Sequence, residues 1–317
     1  MENKRLVVSS SPHLRSSLTT QRVMLDVLIA LAPALIAGTV IFGIRALLVV
    51  AVCAATAVLS EFLFNLIAKK KNTVDDLSAL VTGVLLGLNV HALVPLWQCV
   101  VGAVFAIVVV KCLFGGIGCN FANPAITARV VMVVAFTSTV SGGVLPGAAN
   151  KLFFSAAEAG ELVTTATPLA QNYGAPSILQ LLLGNYGGAI GETCTIALIL
   201  GYIYLVVRRV IKFEVPLIYI GTVLILSLIG EGSFYVAFAD VLSGGLMLGA
   251  IFMATDYVTS PITRTGRMIF AFGCGLLTFL IRFYGSYPEG VSFAILIMNI
   301  LSPYIERWTL KRPLGGK

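Results

Sequence analysis

The sequence has very few charged residues. Lysine, arginine, aspartate and glutamate make up 11% of its 317 residues, whereas 58% are apolar and the mean hydropathy is +0.98. A soluble domain carries about 25% charged residues, so this chain cannot build a water-facing shell. The shortage excludes an ordinary soluble enzyme, a nucleic-acid-binding module and an intrinsically disordered scaffold. It predicts a polytopic membrane protein.

Paired cysteines are also missing. The six cysteines are scattered without a C-x-x-C pair, and only Cys112 and Cys119 lie close together. We interpret them as small buried apolar residues and predict no metal site, with a metal or redox role for the close pair as the alternative. A cleavable signal is not expected, because the polar, basic residues 1–22 precede an apolar stretch too long for a signal peptide.

The apolar residues form ten stretches that approach the length of a membrane span, about 20 residues for a bilayer core of about 30 Å. The third, fifth and eighth are short or interrupted, for example at residues 89–91 and 243–245. Broken spans are tolerated only where they line a protein-enclosed cavity, so we expect a ligand or ion site there. The stretches cover residues 23–43, 46–68, 77–95, 97–114, 126–140, 188–207, 215–230, 234–254, 268–284 and 291–306.

The basic residues predict an orientation. With a cytoplasmic N-terminus, only Arg45, Lys151 and Arg282 of the 21 lysines and arginines fall on the outer side, which leaves 18 on the cytoplasmic side. An excess of basic residues marks cytoplasmic loops. Because both ends of the chain are basic, we expect an even number of spans with both termini in the cytoplasm.

The two halves of the chain resemble each other. Residues 75–78 (Asp-Asp-Leu-Ser) recur as residues 240–243 (Asp-Val-Leu-Ser), and Gly102 and Lys111 match Gly273 and Arg282. Five spans per half is an odd number, so the second half is expected to be inverted relative to the first. The predicted fold is an all-α polytopic membrane protein with about ten transmembrane helices in two inverted five-helix repeats with broken spans.

This prediction divides the chain into five parts. The repeats are expected at residues 23–140 and 188–306, between cytoplasmic tails at residues 1–22 and 307–317 and around an extracytoplasmic loop at residues 141–187. A loop of this length tends to be functional or disordered. Its glycine-rich end, residues 184–192, is interpreted either as a turn before a helix or as a nest of N–H groups that binds an anion.

The loop also contains Glu161 followed by Thr164-Thr165-Ala166-Thr167. Taken alone, this run of hydroxyls is typical of a solvated turn. It also resembles the flavinylation motif D-x-x-[ST]-G-A-T, whose last threonine is joined through a phosphoester to FMN by a flavin transferase. The Ala166-Thr167 pair aligns with the end of this motif, so the resemblance makes Thr167 the predicted acceptor. Glu161 stands where the motif has aspartate and Thr165 where it has glycine, and these departures leave Thr164 and Thr165 as alternatives.

The motif occurs in the family that contains the D subunit of the Rnf ion-translocating electron transport complex and the related B subunit of the sodium-translocating NADH:quinone reductase. The length is more similar to that of the Rnf protein. Further similarity lies in residues 11–15 (Ser-Pro-His-Leu-Arg), 21–24 (Gln-Arg-Val-Met), 184–192, 252–256 (Phe-Met-Ala-Thr-Asp) and 287–291 (Tyr-Pro-Glu-Gly-Val).

The resemblance implies a membrane flavoprotein subunit that helps to couple electron transfer between ferredoxin and NAD to translocation of Na+ or H+. It implies covalent FMN on Thr167 and a non-covalent riboflavin, but no catalytic side chain. Implied partners are the FMN-bearing G subunit, the membrane-embedded A and E subunits, the flavin transferase and membrane lipids. The implied location is a prokaryotic inner membrane, with the flavin loop outside the cytoplasm.

Acidic residues in or beside spans are candidates for the ion pathway, because burial of a charge in a membrane is costly and usually functional. The resemblance singles out Glu61, Asp256 and Glu306. As the alternative, each forms a structural ion pair: Glu61 with residues 69–71, Asp256 with Arg264 or Arg267, and Glu306 with a base near the C-terminus. Two other functions also stay open, a channel or secondary transporter for a small solute and a structural membrane anchor for redox partners.

Overall fold

The computed structural model describes residues 19–70, 72–154, 177–285 and 290–310. Within these ranges the chain is mostly helical, with no strand and one isolated bridge between Val144 and Gly188. The predicted all-α class is confirmed for this part of the chain. The helices are α1 (Thr20–Phe42), α2 (Ile44–Ile67), α3 (Ser78–Leu88), α4 (Leu96–Val104), α5 (Pro124–Ala135), α6 (Thr137–Val140), α7 (Ile178–Leu183), α8 (Thr195–Val207), α9 (Glu214–Glu231), α10 (Phe234–Leu242), α11 (Leu246–Leu248), α12 (Arg264–Tyr284) and α13 (Val291–Thr309).

Every predicted apolar stretch contains a helix, but the helices differ in length. In the described part, four helices (α1, α2, α9 and α12) are long and apolar enough to cross a membrane. A fifth span results if α10 and α11 are counted together, with α11 extended by the π-helical turns Gly249–Met253. The apolar helices α3, α5 and α8 are shorter, as is α4 with its π-helical continuation Phe105–Cys112.

The helices carry large apolar side chains on their outer faces. Val40, Ile67, Val207 and Ile229 are between 73% and 81% exposed. An exposed apolar surface that continues over several helices marks a contact with a membrane or another protein. Together with the composition, this surface identifies a multi-pass membrane protein.

Two predicted breaks are confirmed. Helix α3 ends at Leu88, and residues 89–95 are not helical. The chain bends by 63° between α10 and α11, at residues 243–245. The two broken segments meet inside the protein, where Asn89 Nδ2 lies 3.5 Å from Met253 Sδ.

The predicted start of the sixth helical stretch was wrong, because α8 begins at Thr195 rather than at residue 188. The preceding residues run back toward the end of α3. The N–H groups of Ile190 and Gly191 donate to the carbonyls of Val90 and Leu88, at 3.1 and 2.8 Å. The N–H of Gly191 therefore completes the end of α3, and neither N–H group is free to bind an anion, which removes the anion-nest alternative at these two residues.

The residues paired by the sequence repeat make corresponding contacts. In the first half, Lys111 Nζ donates to Ser78 Oγ at 2.5 Å. In the second half, Arg282 Nη2 donates to the carbonyl of Ser243 at 3.2 Å. Gly102 and Gly273 both face a methionine, because an added Cβ would lie 2.2 Å from Met132 Sδ and 2.4 Å from Met298 Cε, respectively.

Helices α2 and α3 pack so closely that one added methyl group between them is predicted to destabilise the protein. A Cβ added at Gly83 would lie 2.6 Å from Ala54 Cα and 2.7 Å from the carbonyl oxygen of Cys53, both backbone atoms. We expect Gly83→Ala to lower the stability by about 1–3 kcal/mol, as overpacking usually does, measured as a lower melting temperature of the purified protein in detergent.

Gly221→Ala is the matched control, because a Cβ there meets no heavy atom within 4 Å. This variant should melt at or above the wild-type temperature, since alanine favours a helix more than glycine does. Equal melting temperatures for the two variants would contradict the close approach of α2 and α3.

Candidate functional site

Two cavities lie on either side of the segment that follows α11. The first, with a volume of about 100 Å³, is lined by α1, α3, α4 with its π-helical continuation, α5 and α8, and by Asp256. The second has a volume of about 380 Å³ and is lined by α13, including Glu306, and by residues near the start of α5. Asn120, Tyr257 and Val258 line both cavities. The site is therefore a pair of adjoining spaces at one end of the helices.

The segment holding Asp256 is fixed by its own hydrogen bonds. Asp256 Oδ1 accepts from the backbone N–H of Val258 at 3.2 Å, and Oδ2 accepts from Thr259 Oγ1 at 3.3 Å. Short polar side chains commonly form such turns. The turn is tied to α5 because Asn123 donates to the carbonyl of Met253 at 3.4 Å. Asn123 also caps the start of α5 through its side-chain oxygen.

Asp256 faces the first cavity without a basic partner in the described part of the chain. Loss of hydration between the helices raises the pKa of its carboxyl above the ordinary range of an aspartate. The predicted alternative of a pair with Arg264 or Arg267 was wrong, because both arginines contact Glu214, at 2.7 and 4.0 Å. The carboxylate of Asp256 is thus available to the cavity.

Glu61 forms a buried ion pair with a partner the sequence did not predict. Its Oε1 lies 2.9 Å from Lys111 Nζ, and both side chains are 2% exposed. Thr73 Oγ1 also donates to this oxygen at 2.7 Å, whereas Oε2 is buried with no partner among the described residues. Lys111 lines the first cavity, so Glu61 is linked to the cavity through its counter-ion.

The predicted partners of Glu61, residues 69–71, do not contact it where the structure describes them. Lys69 has a positive φ of 52° just past the end of α2, and the ammonium of Lys70 lies 5.5 Å from the centre of the Phe64 ring. Residue 71 lies outside the described residues. The prediction failed because sequence spacing along α2 does not reveal which helix packs against Glu61.

Glu306 lines the second cavity from α13 and makes no ion pair within the described ranges. The basic residues at 311, 312 and 317, which the sequence offered as partners, lie outside those ranges. The three predicted acids are therefore not brought together into one site. Asp256 and the partner of Glu61 border the first cavity, and Glu306 borders the second.

The sequence reasoning missed four polar residues of the site, namely Lys111, Asn120, Asn123 and Asn299. Lys111 and Asn299 interrupt strongly apolar runs, and that position was a usable signal because polar residues inside spans are usually functional. Asn120 and Asn123 sit in a polar connection, where the sequence offers no comparable contrast. No group of three or more metal-ligating side chains occurs among the residues that the structure describes.

Thr167 and Glu161 lie outside the described residues, but the start of the loop is bonded to a helix. The N–H groups of Gly147 and Ala149 donate to the carbonyls of Ile41 and Phe42, at the end of α1. The first cavity is instead lined by Val23, near the start of α1. Val23 and Phe42 belong to the same helix, and a helix rises about 1.5 Å per residue, so these two residues are about 28 Å apart.

Comparison with known proteins extends over nearly the whole chain. A sequence model of the NQR2, RnfD, RnfE family matches residues 7–315. The chain is 43% identical to the D subunit of the Na+-translocating ferredoxin:NAD+ oxidoreductase complex of Acetobacterium woodii, over 99% of this chain and 97% of that protein.

Two further relatives have similar coverage. The D subunit of the proton-translocating ferredoxin:NAD+ oxidoreductase complex of Clostridium ljungdahlii is 38% identical, over 98% of this chain and 96% of that protein. The D subunit of the ion-translocating oxidoreductase complex of Stutzerimonas stutzeri is 36% identical, over 95% of this chain and 93% of that protein.

The pair between Glu61 and Lys111 predicts an asymmetric response to mutation. Lys111→Met leaves a buried carboxylate without its counter-ion, and loss of one partner of a buried pair costs about 3–5 kcal/mol. The double variant Glu61→Gln, Lys111→Met removes both charges and is expected to recover most of that loss. The measurement is the melting temperature of the purified protein.

Lys70→Met is the control, because Lys70 is exposed and surface substitutions usually change stability by about 0.5 kcal/mol or less. If Lys70→Met destabilised the protein more than Lys111→Met did, the assignment of Lys111 as the counter-ion would be wrong.

Proposed function

This chain belongs to the NQR2, RnfD, RnfE family, and we propose that it is the D subunit of an Rnf-type complex. In this proposal it is a membrane subunit of an ion-translocating oxidoreductase, in which electron transfer between ferredoxin and NAD is coupled to movement of Na+ or H+. The observation that carries the proposal is similarity to the D subunits of such complexes over nearly the full length of both chains. The resemblance drawn from the sequence is thereby confirmed at the level of the family.

We propose that Thr167 carries FMN through a phosphoester. A threonine hydroxyl is the group that such a bond requires, and the surrounding residues resemble the flavinylation motif. The bound flavin would supply electron transfer, which no side chain of the protein provides at a useful potential. The start of the loop, at Gly147 and Ala149, is bonded to the end of α1, away from the two cavities.

The non-covalent riboflavin implied by the resemblance is kept as a proposal without assigned contacts. The first cavity, at about 100 Å³, is smaller than the roughly 300 Å³ or more of a typical ligand pocket. The first cavity is therefore too small for riboflavin in this structure. We route no step of the mechanism through this flavin.

Glu61, Asp256 and Glu306 are proposed as residues of the ion pathway. Asp256 and Glu306 each line one of the two cavities, and Glu61 pairs with Lys111, which lines the first. Carboxylate and carbonyl oxygens are the ligands that hard cations prefer. The names of the relatives include both a sodium-translocating and a proton-translocating complex, so they do not favour one ion over the other.

We also propose the finer architecture of ten spans in two inverted repeats. Lys111 contacts Ser78 near the start of α1, whereas Arg282 contacts the matching residue, Ser243, beside the loop at the other end. Equivalent contacts at opposite ends are what inverted halves require. The chain would lie in a prokaryotic inner membrane with both termini in the cytoplasm. Its partners would be the G, A and E subunits, the flavin transferase and lipids.

A channel or secondary transporter for a small solute is the second candidate. The meeting of two broken segments at Asn89 and Met253 favours it, since discontinuous helices commonly line transport sites. A covalent flavin distinguishes the two functions, because a passive channel has no use for one.

The flavin assignment predicts the outcome of replacing each threonine of the motif. When the chain is produced together with its flavin transferase, Thr167→Val should abolish the ultraviolet fluorescence of the denatured protein band, because valine lacks the hydroxyl. Peptide mass spectrometry should find FMN on Thr167 of the wild-type chain.

Thr164→Val and Thr165→Val are the matched controls and should keep the fluorescence. An unmodified wild-type Thr167 under these conditions would remove the main support for the flavoprotein assignment. Loss of the flavin in Thr164→Val alone would move the acceptor to that residue.

The role of Asp256 predicts a separation between ion coupling and flavin attachment. Asp256→Asn should lower ion-coupled activity while leaving the covalent flavin intact. The proton and the cation compete for the carboxylate of Asp256, so activity at a limiting cation concentration should fall on acidification. Because loss of hydration raises the pKa of Asp256, this fall should begin at a higher pH than for an ordinary aspartate. The measurement is the pH profile of ion uptake by vesicles containing the complex, and Asp256→Asn should lose this dependence. Equal loss of flavin and activity would indicate misfolding instead.

A further inference from the structure

The second cavity contains buried amide groups without partners. Asn299, on α13, is 1% exposed, and neither its Nδ2 nor its Oδ1 has a hydrogen-bond partner among the described residues. The Oδ1 atom of Asn120, across the same cavity, is likewise buried and unpaired within the described ranges. Buried polar groups are nearly always hydrogen-bonded. Two such amides facing one cavity therefore indicate that the cavity holds something polar.

The helix itself exposes a further oxygen at this position. Pro303 lies inside α13 and lines the cavity. Proline has no N–H, so it cannot donate to the carbonyl four residues earlier, which is that of Asn299. Asn299 thus has an unpaired side-chain oxygen and a backbone carbonyl that lacks its usual donor four residues later. The sequence Asn-x-x-x-Pro creates this local excess of acceptors.

The charged and polar lining residues of the second cavity indicate which kind of ligand it binds. Glu306 is its one charged lining residue among the described residues, and the remaining polar groups are hydroxyls and amides, including Thr259 and Ser302. A wall without a lysine or arginine does not suit an anion. Several neutral oxygens with one carboxylate match a cation of low charge, because hard cations take oxygen ligands.

The size of the cavity and its connection to Asp256 indicate how the cation is held. A water molecule takes about 30 Å³ of liquid volume, so a volume of 380 Å³ accommodates a cation with part of its hydration shell. Thr259 Oγ1 lies 3.3 Å from Asp256 Oδ2, and Asn120 lines both cavities. Thr259 and Asn120 therefore connect a cation in the second cavity with the carboxylate of Asp256 in the first.

We propose that the second cavity is a binding site for a partly hydrated monovalent cation, with Asn299 and Asn120 as neutral ligands and Glu306 as the charge, and that it leads to Asp256. The inference rests on the proposed function, since it concerns the cation whose movement the complex couples to electron transfer. It assigns Asn299 and Asn120 a part in cation specificity that similarity to the relatives does not supply.

The test uses the purified complex with wild-type, Asn299→Leu and Asn299→Asp chains. Melting temperature and ferredoxin:NAD turnover are measured against NaCl, LiCl, KCl and choline chloride at constant ionic strength. The wild type should respond to Na+ or Li+ at lower concentration than to K+. Asn299→Leu should raise the half-saturating concentration about tenfold, as expected when a hydrogen-bonding or charged contact is lost. Asn299→Asp, which adds a negative charge, should lower it.

Thr222→Val is the matched control, because Thr222 is a buried hydroxyl of α9 bonded to its own helix at 2.7 Å. It should leave the half-saturating concentration unchanged. If the Asn299→Leu complex fails to assemble, Asn120→Ala replaces it in the same measurement, with the same expected increase. The site would be overturned if Asn299→Leu and Asn120→Ala kept the half-saturating concentration of the wild type. It would also be overturned if the wild-type complex responded equally to all four salts.

Measurements on the same preparations distinguish a failure of this inference from a failure of the proposed function. A wild-type complex without covalent flavin or ferredoxin:NAD turnover would contradict the proposed function itself. Normal turnover with a cation dependence that Asn299→Leu does not change would overturn only the cavity site. Loss of a non-covalent flavin from Asn299→Leu would overturn it as well, because the cavity would then bind the flavin.

Discussion

A backbone carbonyl inside a membrane has no water to bond to, so it needs a hydrogen-bond donor from the protein. The fold depends on how such donors are supplied where helices end within the protein. An unsatisfied group at membrane depth costs several kcal/mol. Helix α3 ends at Leu88, whose carbonyl accepts from the N–H of Gly191, and the carbonyl of Val90 just beyond it accepts from the N–H of Ile190. A side chain at Gly191 would lie 2.6 Å from Leu88 Cβ, so this approach requires glycine. The break in α3 and the glycine-rich segment are thus one structural unit.

The second break meets the same requirement with side chains. Between α10 and α11, Arg282 donates to the carbonyls of Asp240 and Ser243 at 2.7 and 3.2 Å, and Tyr186 donates to that of Leu242 at 3.3 Å. A guanidinium is well suited to this task because it presents several donors in a fixed plane. A basic residue inside an apolar helix here completes the backbone of a neighbouring helix.

The cavities and the start of the loop lie at opposite ends of α1. The cavities are near the start of this helix, where a buried pair of Glu61 and Lys111 neutralises charge that the membrane would otherwise exclude. The loop proposed to carry the flavin is anchored at the other end of the same helix.

Much of the fold followed from local composition. Every stretch that hydropathy identified contains a helix, although the short helix α7 lies in the predicted loop, and interruptions by glycine and polar residues located the breaks at residues 89–91 and 243–245. The start of α8 was misplaced because local composition did not reveal that residues 190–191 bond to residues 88–90. Asp256, a predicted ion-pathway residue, lines a cavity, but its expected arginine partners bind Glu214.

The sequence by itself determined that the chain is an α-helical membrane protein with broken spans and a flavinylation-like motif, because low charge and hydropathy are properties of neighbouring residues along the chain. Only the tertiary structure decided that Glu61 pairs with Lys111, that residues 190–191 bond to residues 88–90, and that Asn120 and Asn299 face one cavity. Those contacts join residues far apart in sequence. Packing of helices against one another brings them together, and no local pattern records which faces will meet.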